Sequence, residues 1–514
     1  MSGKEQGTQT REGDQPPRGG STRQGYGKLW AGLAAVIVGS FAVLGYFGGD
    51  VYRLAPPIPN RVVTTDGRAI YSGDDIREGQ NVWQSMGGQE VGSIWGHGAY
   101  VAPDWSADYL HREAVWLLDE WAGAETPGAK YADLSAEKQA ALKARLKEEV
   151  RRNTYDPASG DITVSPVRAR AMEAVGAHYL ALFGDDPALD KLRDAYAIPS
   201  NSIPSAERRN QLNAFFFWTS WACSTDRPNA AVTYTNNWPS EDLIDNHPSG
   251  QVVVWSVVSF VLLLAGIGAL AWYFAIQKHR EDDSHTLPAE DPLLALSPTP
   301  SMRATLKYFW VVTALIVVQV GLGAVTAHYG VEGSGFYGFP LAKWLPYSVT
   351  RTWHTQIAIF WIASAWLATG LFMAPAVSGY EPKFQRLGVN FLFVCVLIIV
   401  VGSMAGQWLA TQQRLGNVAN FWFGHQGYEY VDLGRFWQLF LTVGLFLWLI
   451  LMVRAMWPAF RHPETNRHLL GLFLLASAAI PIFYVPGLMW HRHTNLAVAE
   501  CWRWWVVHLW VEGF

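Results

Sequence analysis

The sequence predicts an all-α polytopic membrane helix bundle that carries one folded soluble domain. Hydrophobic residues make up 50% of the 514 residues and charged residues only 16%, below the roughly 25% charge of soluble domains. Trp is unusually frequent, with 26 residues, and Trp concentrates where a bilayer meets water. Seven apolar, charge-free stretches come close to the roughly 20 residues that cross a bilayer as a helix, namely Leu29–Phe47, Val252–Ile276, Tyr308–Ala327, Thr352–Tyr380, Leu387–Gln413, Phe436–Val453 and Leu469–Trp490.

An eighth apolar stretch begins at about Trp504 and reaches the last residue, Phe514, without a helix cap. Backbone polar groups in lipid must be hydrogen-bonded within the chain, so helices are the structure that fits stretches of this length. We therefore expect the eighth helix to be cut short, and the protein to continue beyond the 514 residues.

The positions of Lys and Arg predict the orientation. They concentrate before the first stretch and in alternate loops, which places that side in the cytoplasm, although some basic residues lie in the opposite loops. The polar lead-in and the lack of an A-x-A-like site favour an uncleaved anchor over a signal peptide. The predicted parts are a cytoplasmic tail at 1–28, an anchor at 29–47, an outer domain at 48–251, a transmembrane helix at 252–276 and a helical core at 305–514.

Composition excludes several classes of protein. A net charge of −4 gives no excess of basic residues for binding nucleic acid. The three cysteines, Cys223, Cys395 and Cys501, are far apart and form neither C-x-x-C nor C-x-x-C-H. A disulfide framework, a thiolate metal site and a covalently attached c-type haem are therefore unsupported. Within the outer domain, Leu142, Leu146 and Val150 repeat with helical spacing and predict a helix over Ser135–Asn153.

Ionisable residues inside membrane helices are costly and mark candidate functional sites. His508 and Glu512 lie four residues apart in WRWWVVHLWVEGF, which places them on one face of a helix. They could form a hydrogen bond with each other or bind one metal ion together. His354 lies near the outer end of the fourth stretch, where it could be a hydrogen-bonded interface residue or a metal ligand.

Further candidates lie on the same outer face. His328 and Glu332 are also four apart, and form either a surface pair or a polar anchor for the head group of a quinol. Glu429 and Asp432 could hold a hard cation such as calcium, or could be solvated loop carboxylates.

One more pair of histidines lies in a short outer loop. His491 and His493 form an H-x-H motif, which could chelate a metal ion. Exposure to solvent is the simpler interpretation of this motif.

Several long motifs resemble the quinol-dependent nitric oxide reductases, which are single-chain members of the haem-copper oxidase superfamily. The resemblance covers nearly the whole chain after residue 50, and its motifs are ECWRWWVVHLWVEGF, GHQGYEYVDLGRFWQ, GSMAGQWL, HTQIAIFWIASAWLATG, FFFWTSWACST, TYTNNWP and IWGHGAY. It implies a helix bundle of the haem-copper oxidase type in the bacterial inner membrane. It also implies that the outer domain is periplasmic and resembles cytochrome c. The missing C-x-x-C-H motif agrees with the quinol-dependent branch of the family, in which the outer domain has lost its haem.

The resemblance also implies cofactors: a low-spin haem b, a high-spin haem b, a non-haem iron and, at a loop carboxylate, calcium. The implied assignments are His354 as an axial ligand of the low-spin haem, His508 and Glu512 as iron ligands, His328 and Glu332 at the quinol site, and Glu429 at the calcium position. The implied partners are quinol, nitric oxide and membrane lipid, with a homodimer left open and no nucleic acid.

The implied reaction couples two nitric oxide molecules to nitrous oxide and water, with two electrons from quinol and two protons. The oxygen-reducing members of the superfamily commonly carry a tyrosine four residues after the matching histidine, whereas Glu512 stands at that position here. A carboxylate suits iron better than copper and places a proton-active group beside the metal. A quinol-oxidising oxygen reductase, and a membrane receptor or transporter, remain the alternatives.

Family members continue through several further helices, which carry more histidine ligands for the iron and both haems. We therefore expect the 514 residues alone to be unable to reduce nitric oxide.

Overall fold

The computed structural model describes residues 26–278, 289–291, 294, 296–462 and 466–512, without the side chains of 510–512. The chain divides into two compact units, Met1–Asp50 and Val51–Phe514. Seven helices among the described residues are long and apolar enough to cross a membrane. The protein is therefore an integral membrane protein built mainly of helices, as the sequence predicts.

Fifteen α-helices follow one another along the described chain. They are α1 (Gly27–Leu54), α2 (Gly73–Ser85), α3 (Trp105–Glu125), α4 (Ala136–Arg151), α5 (Pro166–Leu182), α6 (Asp190–Ala195), α7 (Ala206–Ser224), α8 (Gly250–Lys278), α9 (Pro300–Glu332), α10 (Tyr347–Ser378), α11 (Gln385–Thr411), α12 (Asn417–Phe423), α13 (Arg435–Met456), α14 (Arg467–Tyr484) and α15 (Leu496–Val506). The spanning helices are α1, α8, α9, α10, α11, α13 and α14, and each begins slightly before the stretch that hydropathy predicts.

Capping residues explain several of these starts. Thr299 accepts a hydrogen bond from the backbone of Met302, and Pro300 occupies the first helical position of α9, where its missing N–H costs nothing. The Asn495 side chain caps α15 in the same way, by accepting from the backbone N–H of Ala497. The eighth hydrophobic helix therefore begins at Leu496, and the predicted start at Trp504 is wrong because Glu500 and Arg503 interrupt the apolar stretch within this helix.

The outer domain contains α2 to α7 and a small sheet that the sequence did not predict. Its strands are β1 (Arg61–Thr64), β2 (Ala69–Ser72), β3 (Tyr155–Asp156) and β4 (Asp161–Val164), in the spatial order β2-β1-β4-β3. The central strands β1 and β4 run parallel, with Arg61 opposite Asp161, and the two outer pairs are antiparallel.

Aromatic side chains fill the interior of the outer domain. The ring of Trp105 stacks on Phe216 at a centroid distance of 5.4 Å, and Tyr109 stacks on Tyr179 at 5.9 Å. All four side chains are fully buried, so each contributes a large apolar area to the core. The helix predicted from the spacing of Leu142, Leu146 and Val150 is confirmed as α4, and these three residues form its buried face.

Two glycines let the outer domain and the helix bundle meet backbone to backbone. Gly88 and Gly427 both have positive φ, and a Cβ added to Gly88 would lie 2.3 Å from the carbonyl oxygen of Gly427. The same carbonyl accepts a hydrogen bond from the backbone N–H of Gln89 at 3.0 Å. No larger residue fits here without moving one of the two backbones. This contact brings Gln89 and Glu90 of the outer domain next to the loop between α12 and α13.

Candidate functional site

His354 lies on α10, where its imidazole is oriented by the neighbouring helix α9. Nδ1 lies 2.9 Å from the carbonyl oxygen of Gln319, and because a carbonyl can only accept, Nδ1 carries the proton. The other nitrogen, Nε2, then has its lone pair available. No hydrogen bond to Nε2 occurs within the described residues. A histidine held in this way has the tautomer and orientation that a metal ligand needs.

Gly323 on α9 makes room for this imidazole. A Cβ at Gly323 would lie 2.7 Å from Cε1 and 2.9 Å from Nδ1 of His354, closer than atoms in real proteins approach. The glycine therefore permits the ring to lie flat against α9. The donor set and the space around His354 fit an axial haem ligand.

The helix that carries His508 and Glu512 changes its geometry before it reaches them. α15 ends at Val506, and residues Val507–Glu512 form a π-helical segment with i to i+5 hydrogen bonds. Such segments are rare and occur frequently at functional sites. The imidazole of His508 stacks on Trp504 at a centroid distance of 3.9 Å. The side chain of Glu512 lies outside the described residues, so the proposed pair remains a prediction.

A buried polar cluster on α15 lies one and two turns before His508. Glu500 accepts hydrogen bonds from Arg503 at 3.0 Å and from Gln89 of the outer domain at 2.8 Å, and Nδ1 of His97 lies 2.9 Å from its second oxygen. The His97 ring meets the edge of Trp504 at 5.8 Å. His97 and Glu500 were not predicted as site residues. An imidazole within the glycine-rich and aromatic run GSIWGHGAY is the sequence signal that marks His97.

His328 and Glu332 form the pair that their spacing predicts. Nδ1 of His328 lies 3.1 Å from Oε2 of Glu332 at the end of α9, and both side chains are about two-fifths exposed. The imidazole stacks on Phe336 at 3.9 Å, with Tyr337 edge-on. The pair therefore combines groups that bind protons with aromatic surface at the end of a membrane helix.

Glu429 is paired with a cation from the chain itself. Its Oε1 lies 2.8 Å from the guanidinium of Arg351, and its backbone N–H donates to the side-chain oxygen of Gln89. Arg351 also donates to Glu90 at 2.9 Å, so it connects two carboxylates. A calcium ion at Glu429 would have to displace this guanidinium. Calcium at this position remains a prediction, and no step is derived through it.

Glu90 and Asp432 are two buried carboxyl groups near Arg351. Both side chains are fully buried, and each affects the pKa of the other. Burial and the charges of Glu90 and Glu429 raise the pKa of Asp432 well above its usual value, so Asp432 carries the proton. Gln356 donates to the other face of Asp432 at 2.8 Å. Asp432 therefore lies near both Glu90 and Gln356, and a cation held by Glu429 and Asp432 stays a prediction.

His425 is a fully buried neutral imidazole in the same loop. Its Nδ1 accepts from the backbone N–H of Gly427 at 2.8 Å, so its Nε2 is protonated and donates to Thr352 at 2.8 Å. The Thr352 hydroxyl donates in turn to the carbonyl of Ser348. Burial lowers the pKa of His425 to about 3. His425 was not predicted, although its place in GHQGYEYVDLGR marks it as an imidazole in a polar and aromatic loop.

The H-x-H motif forms no chelate among the described residues. His493 contacts Oε1 of Glu78 through Nε2 at 3.0 Å, and the adjacent Arg492 donates to the same oxygen at 2.5 Å. His491 Nδ1 accepts from the backbone N–H of His493. Burial opposes ionisation of Glu78, but hydrogen bonds from Asn417 and His493 and the charge of Arg492 outweigh it and lower its pKa. These contacts connect the loop to α2 of the outer domain.

Across the described part of the chain, no three side chains of His, Cys, Asp or Glu converge closely enough to hold a metal ion. His508 is a predicted iron ligand, and this role stays a prediction. The residues whose geometry fits a cofactor are therefore His354 and its support, Gln319 and Gly323.

Two family models match most of the chain. Residues 59–240 match the model for the cytochrome c-like domain of NorB, the nitric oxide reductase component. Residues 303–514 match the model described as cytochrome C and quinol oxidase polypeptide I. The first covers the outer domain, and the second covers α9 to the π-helical segment.

The chain is a NorB-like member of the haem-copper oxidase superfamily. A curated relative agrees with this assignment: the NorB component of nitric oxide reductase from Stutzerimonas stutzeri is 26% identical over 216 residues, which is 41% of this chain. The aligned region spans 42% of the length of that relative. The resemblance to nitric oxide reductases of the haem-copper oxidase superfamily, and the all-α membrane bundle that it implied, are confirmed. Quinol dependence and the periplasmic side stay predictions.

Proposed function

We propose that the protein is an oxidoreductase that reduces two molecules of nitric oxide to nitrous oxide and water with two electrons from quinol and two protons. Membership of the superfamily supports the class of reaction. The single observation on which the proposal depends most is the orientation of His354, whose Nδ1 donates to Gln319 and whose Nε2 is left available beside Gly323.

His354 is the proposed axial ligand of a low-spin haem b. When bound, such a haem supplies one-electron transfer at a potential set by its axial ligands and surroundings. The contribution of the chain is to hold the imidazole. The Gln319 carbonyl fixes its tautomer, and the absence of a side chain at Gly323 keeps the ring against α9.

His328 and Glu332 are the proposed quinol anchor. Quinol oxidation releases two protons, and an imidazole 3.1 Å from a carboxylate offers acceptors for them. The ring of Phe336 stacks on the imidazole of His328, and the exposed Phe339 adds apolar surface suited to the ring of a quinol dissolved in the bilayer. The site lies at the end of α9, where a molecule dissolved in the bilayer can reach it.

His508 and Glu512 are the proposed protein ligands of a non-haem iron that faces a high-spin haem b. Glu512 is also the proposed proton donor for the oxygen that leaves as water, because a carboxylate next to the metal can hold and release a proton. The change from α-helix to π-helix at Val507 supports a specialised role for this segment.

The proposed setting is the bacterial inner membrane, with the outer domain on the periplasmic side. The excess of basic residues in the tail and in the loops of the same parity supports this orientation.

The test combines optical spectra with turnover. The 514 residues alone are expected not to reduce nitric oxide, because His354, His508 and Glu512 are only part of the ligand set that the proposed haems and iron require. The test therefore uses a full-length enzyme that contains this sequence, which is expected to show a b-type haem spectrum and to consume nitric oxide with a quinol as electron donor. His354→Ala should lose the low-spin haem spectrum, whereas His328→Ala should keep it and lose activity only with quinol. Glu512→Ala should abolish nitric oxide turnover and leave the low-spin spectrum intact. A colourless preparation would favour a receptor or transporter, and loss of the low-spin haem in Glu512→Ala would contradict the assigned roles.

A quinol-oxidising oxygen reductase is the second candidate, because the model that matches residues 303–514 is named for oxidases. Glu512 at the position where such enzymes commonly carry tyrosine favours nitric oxide. Turnover with oxygen but not with nitric oxide would reverse this choice.

A further inference from the structure

A cavity of about 400 Å³ lies between α9 and α11, and half of the residues around it are cationic. It is lined by Pro300, Arg303, Ala304, Lys307, Arg386 and Asn390. The opposite end of α9 meets the outer domain, where the backbone N–H of Ser334 donates to Asp194. α9 is 33 residues long, which corresponds to roughly 50 Å of helix, so the cavity lies at the far end of the bundle from the outer domain.

The three cations of the cavity have no carboxylate partner in the part of the chain that the structure describes. Lys307 donates to the side-chain oxygen of Asn390 and lies 4.7 Å over the ring of Phe393, but neither group neutralises its charge. The nearby carboxylate of Glu381 instead accepts the backbone N–H of Ser301 at 3.1 Å. Arg303, Lys307 and Arg386 therefore repel one another unless an anion lies between them.

Apolar side chains flank the cavity on both helices. On α9, Leu306 is 60% exposed and Trp310 is 68% exposed; on α11, Leu387 is 64% exposed and Phe391 is 58% exposed. These residues lie on helices that are long and apolar enough to cross a membrane, so acyl chains can pack along their exposed surface. The buried contact of Tyr308 with the Val389 carbonyl, at 2.7 Å, holds the two helices together behind the cavity. A cationic cavity therefore adjoins a surface suited to acyl chains.

We propose that this cavity binds the phosphate of an anionic phospholipid, with the acyl chains lying along the apolar residues of α9 and α11. Basic pockets between transmembrane helices at the membrane surface are suited to such head groups. Free phosphate would satisfy the three cations equally well. It would leave the adjoining apolar surface without a specific partner, which is why the lipid is the better occupant. The basic residues also match the side that the sequence places in the cytoplasm.

Native mass spectrometry of the detergent-purified protein tests this site. The probes are phosphatidylglycerol, phosphatidylcholine and inorganic phosphate, each titrated against the wild type and against the triple variant R303Q/K307Q/R386Q. The matched control is K383Q/R461Q/R467Q, which removes three exposed cations at the same end of the bundle but outside the cavity. Each basic residue near a membrane contributes about 1 kcal/mol, or roughly fivefold, so the triple variant should lose on the order of 100-fold in affinity for phosphatidylglycerol.

The proposal predicts that phosphatidylglycerol binds more tightly than phosphatidylcholine, that the control binds like the wild type, and that millimolar phosphate does not displace the lipid. Equal binding of the two lipids, or an equal loss in the control, would overturn it. Displacement of the lipid by inorganic phosphate would overturn the lipid as occupant. If the triple variant fails to fold, the single variants R303Q and R386Q, at exposed positions, repeat the test. Each should lose roughly fivefold in affinity for phosphatidylglycerol.

Discussion

Arg351 and Glu90 form an ion pair between the membrane helices and the outer domain. Nε of Arg351 on α10 lies 2.9 Å from Oε2 of Glu90, whose side chain is completely buried. The pair joins residues that are 261 positions apart in the sequence. It fixes one end of α10 against the short segment after Gly88.

Glu90→Ala should destabilise the protein strongly. Removing one partner of a buried ion pair leaves the other charge uncompensated, which costs on the order of 3–5 kcal/mol, although Glu429 still faces Arg351 and reduces this cost. Thermal melting in detergent measures the effect. Glu173→Ala is the control, because Glu173 forms an ion pair with Arg68 in which both side chains are 53% exposed. It should cost less than about 1 kcal/mol, and an equal shift in both variants would contradict the structural role of Glu90.

Asp432→Asn should stabilise the protein, and the gain should grow with pH. The folded state raises the pKa of Asp432, so the folded state binds this proton at pH values where the unfolded chain has released it. Stability of the wild type therefore rises as the pH falls toward the usual pKa of an aspartate. Between the pKa of Asp432 in the unfolded chain and its pKa in the folded protein, each pH unit changes the stability difference between variant and wild type by up to about 1.4 kcal/mol.

Melting temperatures of the Asp432→Asn variant and the wild type between pH 5 and 8 check this prediction. The difference should be smallest at pH 5 and largest at pH 8. Asp185→Asn, at an exposed position of the outer domain, should show no such trend. A constant difference across the range would mean that Asp432 is ionised in the folded protein.

Gly323→Ala should disturb the proposed haem without removing its ligand. The new Cβ would lie 2.7 Å from the His354 ring and must push it away from α9. The low-spin haem should then show a changed optical and electron paramagnetic resonance spectrum, or be lost. Gly321→Ala is the matched control on the same helix, since nothing lies within 4 Å of its added Cβ. Identical spectra for both variants would argue against haem at His354.

Glu113 and Arg168 form a second buried ion pair, inside the outer domain. Nε of Arg168 lies 2.8 Å from Oε1 of Glu113, and the two side chains are 3% and 0% exposed. Glu113→Ala should cost about 3–5 kcal/mol of stability, whereas the double variant E113L/R168M should recover most of it, because apolar residues of similar size avoid the cost of burying charges. Thermal melting of the wild type, E113A and E113L/R168M measures whether the loss of stability comes from the unpaired charge of Arg168. A double variant less stable than E113A would contradict this account.

The membrane helices could be predicted from the sequence because a bilayer demands about 20 apolar residues in a row. His354 could be selected as a candidate site residue for a related reason, since an ionisable group in such a stretch is costly, and its role stays a prediction. The residues at which the helices begin were harder to predict from the sequence. The cap Asn495 sets the start of α15 at Leu496, and the charged Glu500 and Arg503 further along this helix break its apolar stretch, so hydropathy alone does not reveal the start.

The remaining features depend on contacts between distant residues. No local pattern places Glu90 against Arg351 or Asp432, because the approach of the two backbones at Gly88 and Gly427 brings them together. The strands β1 and β4 are four residues each, too short to show a reliable alternation. The residues of the π-helical segment Val507–Glu512 carry no pattern that distinguishes a π-helix from an α-helix, so only the structure reveals its geometry.

The meeting of Gly88 with Gly427 has a consequence for protein engineering. Since no side chain separates the two backbones, the soluble module and the helices cannot be recombined freely with those of other proteins. A chimera must carry both glycines and the residues that follow them. The natural crossover points for domain exchange therefore lie elsewhere in the chain.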